Sequence, residues 1–230
     1  MEAGLDTLLR LIASTEVGAT LTDVRPSLVL TRQDLRPVFA NAGGLKAFGA
    51  ADLAALAATV NVPDALAARI ARFSANPVSR RSELVRYRDG EDERLERLDF
   101  TDLGTVVGDD LILVTLASRS VPPDPADAYG IAHLAGEARF VVLFDEDGEA
   151  VASHGDESLL DDIHDEVEAL AAEDAGAPIR RRTVKLKDGD REIALVALAG
   201  GPEQVLLLVR LPRPERTGRL KVPPRRRTSS

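Results

Sequence analysis

Residues 27–49, SLVLTRQDLRPVFANAGGLKAFG, carry the clearest indication of the fold. It contains two short runs of β-branched and aromatic residues, 27–31 and 37–40, on either side of a polar connection, which is typical of a β-hairpin. Two glycines after Asn41 end the strand pattern, and a short helical stretch follows them. These residues therefore predict the order strand, strand, helix.

The chain continues with short helices and then three more strands. Residues 51–73 are rich in alanine and leucine, and Pro63 divides them into two helical pieces. Residues 82–88, 94–100 and 110–117 have strand composition, and an Asp-Gly turn joins the first two. The first half of the chain thus predicts two strands, several helices and a three-stranded meander.

The second half repeats this order after the proline-rich residues 121–125, which we interpret as a linker. A hairpin within residues 140–153, one long helix over 158–173 and three strands between 179 and 211 follow it. The predicted division is an N-terminal amphipathic helix in residues 1–20, a first domain in 21–120, a shortened second domain in 126–211 and a basic, Pro- and Arg-rich disordered tail or linker in 212–230.

Composition limits the class of protein. The 230 residues are 44% hydrophobic and 29% charged, and no apolar run approaches the ~20 residues of a membrane-spanning helix. The N-terminus lacks the pattern of a secretory signal, so we expect a cytoplasmic protein that does not bind membranes. Cysteine is absent, which excludes disulfides, thiolate metal sites and a thiol-linked flavin.

Charge is unevenly distributed along the chain. The net charge is −9, but residues 212–230 carry seven basic residues against Glu215, a balance of +6 that leaves −15 for residues 1–211. The negative net charge of residues 1–211 repels the phosphate backbone of nucleic acids. We therefore expect no nucleic-acid partner.

Residues 27–49 closely resemble the start of a PAS domain: a strand, a turn, a strand that ends in Ala-Asn, and a small-residue helix that closes on Gly. Residues 139–211 resemble a shortened PAS domain. The resemblance implies an α+β fold with two PAS-like domains, each a five-stranded antiparallel sheet with helices on one flank.

Tandem PAS modules behind an amphipathic helix are similar to the cytosolic sensory regions of alphaproteobacterial sensor histidine kinases of the PleC/DivJ type. No His-Glu-Leu-Arg-Thr-Pro box surrounds His133, His154 or His164, so we expect no kinase activity from these residues. The resemblance implies a sensory, regulatory and dimerisation module of a two-component signalling protein, which could also bind another signalling protein.

The PAS resemblance also implies where a small ligand would bind, between the first sheet and its helices. The same apolar residues would form a filled core, which we favour for a domain of this size. Asn41 fits an N-cap better than a ligand contact. The residues of this predicted pocket are Phe39, Asn41, Leu45, Phe48, Leu66, Ile70, Val85 and Leu98.

No cofactor and no metal site are expected. The first domain has no histidine, and His164 lies at the edge of an apolar helix face, where a solvated side chain is more common than a haem ligand. The acidic residues around His164 leave a small metal-dependent hydrolase as a remote alternative, although a solvated helix face explains them better. A protein-docking scaffold without a small ligand is a further alternative.

The N-terminal helix has an apolar stripe that must be buried against something, because so short a helix is not stable alone in water. Packing on its own sheet would bury the stripe, and so would the equivalent helix of a second copy. We predict the second arrangement, a homodimer, because a symmetric pair is the simplest closed assembly. The residues of this stripe are Leu5, Leu8, Leu9 and Ile12.

Overall fold

A computed structural model describes residues 5–59, 64–75, 80–89, 92–122, 124–173, 177–187, 189–198 and 204–210. Its strands form two separate five-stranded antiparallel sheets. No strand of one sheet is hydrogen-bonded into the other in the described ranges. None of the helices in these ranges is long and apolar enough to cross a membrane.

The first half of the chain forms the first sheet, with strand order β2-β1-β5-β4-β3. Its elements, in chain order, are α1 (Leu5–Ile12), α2 (Thr15–Leu21), β1 (Ser27–Thr31), β2 (Pro37–Ala40), α3 (Ala42–Ala47), α4 (Leu53–Thr59), α5 (Asp64–Ala75), β3 (Arg80–Asp89), β4 (Asp92–Val106) and β5 (Asp109–Leu116).

The second half forms the second sheet, with strand order β7-β6-β10-β9-β8. Its elements are a short 3-10 helix (Pro125–Asp127), α6 (Leu134–Ala138), β6 (Phe140–Phe144), β7 (Ala150–Gly155), α7 (Ser158–Ala172), β8 (Ile179–Leu186), β9 (Gly189–Leu198) and β10 (Gln204–Arg210). Counted within each half, both sheets have the order 2-1-5-4-3. The predicted α+β fold with two PAS-like domains is confirmed.

Each sheet buries one face under its own helices. On the first sheet, alternate residues such as Leu28, Leu30 and Val114 pack with Leu56 and Phe73 beneath α3, α4 and α5. On the second sheet, α7 alone supplies the described helical cover, through residues that include Ile163 and Leu170. A strand exposes successive side chains to opposite faces, so the other face of each sheet needs a second cover.

That second cover is a helical layer shared by both sheets. Leu9 and Ile12 of α1 and Val17 of α2 belong to one core cluster with Leu113 of the first sheet and Val196 of the second. Leu134 and Ala138 of α6 complete this layer. The two domains therefore share an apolar core, which we call the shared core, although their sheets are separate.

The shared core changes the interpretation of the N-terminal stripe. Leu8, Leu9 and Ile12 are buried inside one chain, so the prediction that they form a dimer surface is wrong for these residues. The side chain of Leu5 lies outside the described residues. The apolar surfaces that bury the stripe belong to strands far along the chain. The homodimer itself stays a prediction.

Candidate functional site

Four of the predicted pocket residues lie together in the core of the first domain. Leu45, Ile70, Val85 and Leu98 are all buried in the cluster between the first sheet and its helices. In the same cluster the rings of Phe73 and Phe100 stack with their centroids 5.8 Å apart. This packing supports our interpretation that these residues form a filled core. Leu45 also lines a cavity at the edge of that core.

Two aromatic residues do not lie where the pocket prediction put them. Phe39 neighbours Ala40 in β2, so its ring points to the opposite face and packs in the shared core. Phe48 follows the last residue of α3, and 38% of it is exposed. Both assignments to the pocket are wrong. The side chain of Leu66, on α5, lies outside the described residues.

Asn41 is a structural residue with all of its polar atoms in use. Its Oδ1 accepts hydrogen bonds from the backbone N–H of Ser27 at 2.9 Å and of Gly44 at 2.7 Å, the second of which caps α3. Its Nδ2 donates to the carbonyl oxygens of Thr20 at 2.8 Å, Asp23 at 3.1 Å and Arg25 at 2.9 Å. The side chain is completely buried, and its hydrogen bonds connect α2, β1 and α3 in the interior of the domain.

A cavity of about 460 Å³ lies where the first domain meets the linker. One wall comes from α3 and the residues after it, and the other comes from the linker and the start of the second half. Lys46 is on the first wall, and its Nζ donates to the carbonyl oxygen of Pro122 at 3.3 Å. We call this space the junction cavity. It is lined by Leu45, Lys46, Val121, Pro122, Asp127 and His133, among others.

His133, on the linker side of the junction cavity, is held in its neutral form. Burial lowers its pKa to about 4, although the charge of Asp127 and the carbonyl oxygens of Gly130 and Ala40 favour the protonated ring. Both ring nitrogens are shielded from solvent, and within the described ranges the nearby carbonyl oxygens do not reach them with the distance and angle of a normal hydrogen bond. The imidazole therefore forms part of an uncharged wall at pH 7.

Asp127 orders the linker that forms this wall. Its carboxylate accepts hydrogen bonds from the backbone N–H groups of Ile131 at 2.9 Å and Ala132 at 3.0 Å. Its Oδ1 also lies 3.1 Å from Nε2 of His154, on β7 of the second sheet. One carboxylate thus connects the 3-10 helix, the turn before α6 and the edge of the second domain.

Sequence reasoning missed Asp127, His133 and His154 as a group. They are separated by up to 27 positions and follow no spacing rule, and the linker composition indicated only an irregular connection. The arrangement supplies a carboxylate, a neutral imidazole and, across the cavity, an ammonium group. The carboxylate and the ammonium group can contact a small polar molecule, while the imidazole, whose nitrogens are shielded from solvent, forms part of the uncharged wall.

The remaining chemical candidates lie apart from this cavity. The side chain of His164, on α7, is 64% exposed. Its Nε2 lies 3.3 Å from Oε1 of the exposed Glu168, one helical turn further along. Within the described ranges, no three potential metal ligands of the His, Cys, Asp or Glu type come together. The acidic residues around His164 therefore behave as a solvated helix face.

Comparisons with known proteins establish no family for this chain. No family model and no curated protein matches the sequence. Among solved structures, an RNA-binding Light-Oxygen-Voltage receptor aligns with 80% of this chain and 94% of its own, at 12% identity and a TM-score of 0.26.

The extracellular domain of a protein named as a histidine kinase, rpHK1S-Z16, aligns with 90% of this chain and 84% of its own, at 12% identity and a TM-score of 0.26. Similarity this low tells us nothing about the site. The fold rests on the strand order of the chain itself, which is that of two PAS-like domains in tandem.

Proposed function

We propose that this chain is the sensory and regulatory region of a bacterial two-component signalling protein, without enzymatic activity of its own. The observation that carries the proposal is the shared core. Helix α1 contacts strands of both domains, and α2 contacts β9 and shares the core with both sheets, so a shift in either sheet must change the packing of the same helices. A sensory module needs such a connection to pass a conformational change from one domain to the next.

The junction cavity is the place where we propose that a small ligand acts. It is formed by α3 of the first domain and by the linker that Asp127 ties to the second. A molecule that binds there better in one arrangement of the linker would shift the chain toward that arrangement. In this proposal the protein is cytoplasmic and works as a homodimer, with a contact surface other than the buried N-terminal stripe.

The coupling between the domains can be tested by filling the junction cavity. Ala50 lines it, so Ala50→Trp should displace the linker, while Ala169→Trp on the exposed face of α7 is a matched control. We expect Ala50→Trp to change amide hydrogen exchange in β7 and β9 of the second sheet, and the control to leave β7 and the first sheet unchanged. Changes confined to α3 and the linker would contradict the proposal.

Ligand binding needs a separate experiment. Titration calorimetry of the purified chain against fractionated bacterial metabolites should give a saturable heat that Ala50→Trp removes. A chain that binds no fraction, but whose domains are coupled, would be a docking scaffold. Turnover of general esterase or phosphatase substrates by the purified chain would contradict the absence of enzymatic activity.

A further inference from the structure

The helical layer covers only part of the first sheet. Beyond it, the hairpin of β3 and β4 exposes two large apolar side chains, Leu84 at 64% and Leu95 at 60%. In the hairpin register Leu84 is opposite Arg97, and Leu95 is opposite Arg86, so both leucines lie on the same face as diagonal neighbours. The two leucines thus form one contiguous exposed apolar patch, a feature that can serve as the apolar part of a contact with another molecule.

Polar residues of the same face connect the leucines to a cleft beside α2. The Nε of Arg97 donates a hydrogen bond to Oγ of Ser82 at 2.8 Å. The same Nε lies 3.6 Å from Oδ1 of Asp99. Arg80 lies further along the same face, opposite Thr101. The cleft measures about 560 Å³ and is walled by these strands and by α2. We call this region, from the cleft to the two leucines, the hairpin face.

The second sheet shows what covers the corresponding positions there. There α7 packs on one face of the edge strand β8, and α1, which packs on the neighbouring β9, reaches the other face of β8 through an ion pair. On the shared-core side, Arg181 pairs with Asp6 of α1. On the other side, Arg182 pairs with Glu166 of α7 at 2.7 Å. The arginines of this edge strand thus pair on both faces with an acidic residue of an amphipathic helix, and on one face that helix also packs on the strand.

On the hairpin face of β3 and β4, no helix of the described ranges takes this position over the two leucines. Charge indicates what the occupant is. The face carries Arg80, Arg86 and Arg97 against the acidic Asp99, so a second copy placed face to face would bring two surfaces of like net charge together, which is unfavourable. An acidic partner would instead complement these arginines. The face is also a basic surface on a body whose net charge is −15 over residues 1–211.

We propose that the hairpin face binds an acidic amphipathic helix of a partner protein. The apolar side of that helix contacts Leu84 and Leu95, and its carboxylates pair with Arg80 and Arg97. The proposal does not depend on a small ligand in the junction cavity. It goes beyond the sensory function, because it gives the chain a surface through which a protein partner is recognised.

A synthetic helix of the required chemistry tests this directly. The probe is a fluorescein-labelled peptide with the sequence of residues 157–173, ESLLDDIHDEVEALAAE, which is acidic and amphipathic. Its control is the same peptide with each Asp and Glu replaced by Asn and Gln. By fluorescence polarisation at low salt, the full chain should bind the acidic peptide at least about tenfold more tightly than the neutral one.

Variants of the full chain then locate the contact. Leu84→Ser with Leu95→Ser, and separately Arg97→Glu, should each weaken binding about tenfold or more. Val107→Ser is the matched control for an exposed apolar residue, and Arg10→Glu for an exposed arginine; neither should alter binding. The five changed side chains are exposed or partly paired at the surface, so unchanged circular dichroism should accompany all four variants.

Three results would overturn the proposal. The first is no saturable binding of the acidic peptide. The second is binding that the leucine and arginine variants leave unchanged, as expected if the peptide merely replaces the chain's own α7. The third is self-association by light scattering that Leu84→Ser with Leu95→Ser abolishes, because the hairpin face would then be covered by a second copy.

Discussion

Replacing Asn41 by alanine should be one of the most damaging single substitutions in this chain. The change removes five hydrogen bonds in a completely buried position. The backbone N–H groups of Ser27 and Gly44 lose their acceptor, and a buried donor without a partner costs about 1–3 kcal/mol. Loss of the cap on α3 is included in that figure. We therefore expect the free energy of unfolding to fall by about 4 kcal/mol.

An isosteric variant separates the two halves of this network. Asn41→Asp keeps an oxygen for Ser27 and Gly44 but turns a second oxygen toward the carbonyls of Thr20, Asp23 and Arg25. Burial and these carbonyls favour the protonated carboxyl, so its pKa in the folded state is raised above the unfolded value. The folded variant then binds the extra proton, and its stability should rise relative to the parent chain as pH falls from 7 toward 4.

Urea unfolding followed by circular dichroism measures both effects. Gln33→Ala, which removes an exposed amide in the turn between β1 and β2, is the control and should change stability by less than about 0.5 kcal/mol. A loss of under about 1 kcal/mol for Asn41→Ala would refute the structural role. Asn41 would then be better explained as a ligand contact.

Three further predictions follow from burial and composition. The pKa of His133 falls from 6.5 in the unfolded chain to about 4 in the folded one. The free energy of unfolding should therefore decrease by about 3 kcal/mol in total as pH drops from 6.5 to 4. In urea unfolding, His133→Gln should remove most of this pH dependence. The double variant Leu8→Asp with Ile12→Asp should show no cooperative unfolding transition when followed by circular dichroism. Burying two charges in the shared core costs as much free energy as the whole stability of a domain. A folded, monomeric variant would show that α1 does not support the core. The purified chain should be colourless and free of metal by absorption and elemental analysis, since it lacks cysteine; a visible band that survives dialysis would contradict this.

The strands and their order could be predicted because each has a local signature. Alternating residues, Asp-Gly turns and the glycines after Asn41 are contained within a few positions, and the same order recurs in both halves. Asn41 at the start of a helix was equally local. Its three contacts to carbonyl oxygens, however, are made with the end of α2 and the loop after it, 16–21 residues earlier in the chain. No local pattern specifies these contacts.

Features that depend on distant packing could not be predicted in the same way. All four residues of β2 are buried, so no polar alternation indicated which face Phe39 occupies. The apolar stripe of α1 was evident, but its cover comes from both sheets, including residues of β9 and β10. Asp127 and His133 line a cavity with Lys46 only because the linker lies beside α3. In each case the missing information is the position of a surface elsewhere in the chain.

The strand order has a consequence for the sequence of events during synthesis. In each sheet the strand made last lies in an interior position: β5 between β1 and β4, and β10 between β6 and β9. Neither sheet can therefore close before its last strand leaves the ribosome. Helices α1 and α2 are made first, yet their apolar residues belong to the same shared core as Leu208 of β10. The apolar residues of α1 and α2 cannot be fully buried until β10 has been synthesised. This favours slow folding and a period of dependence on chaperones.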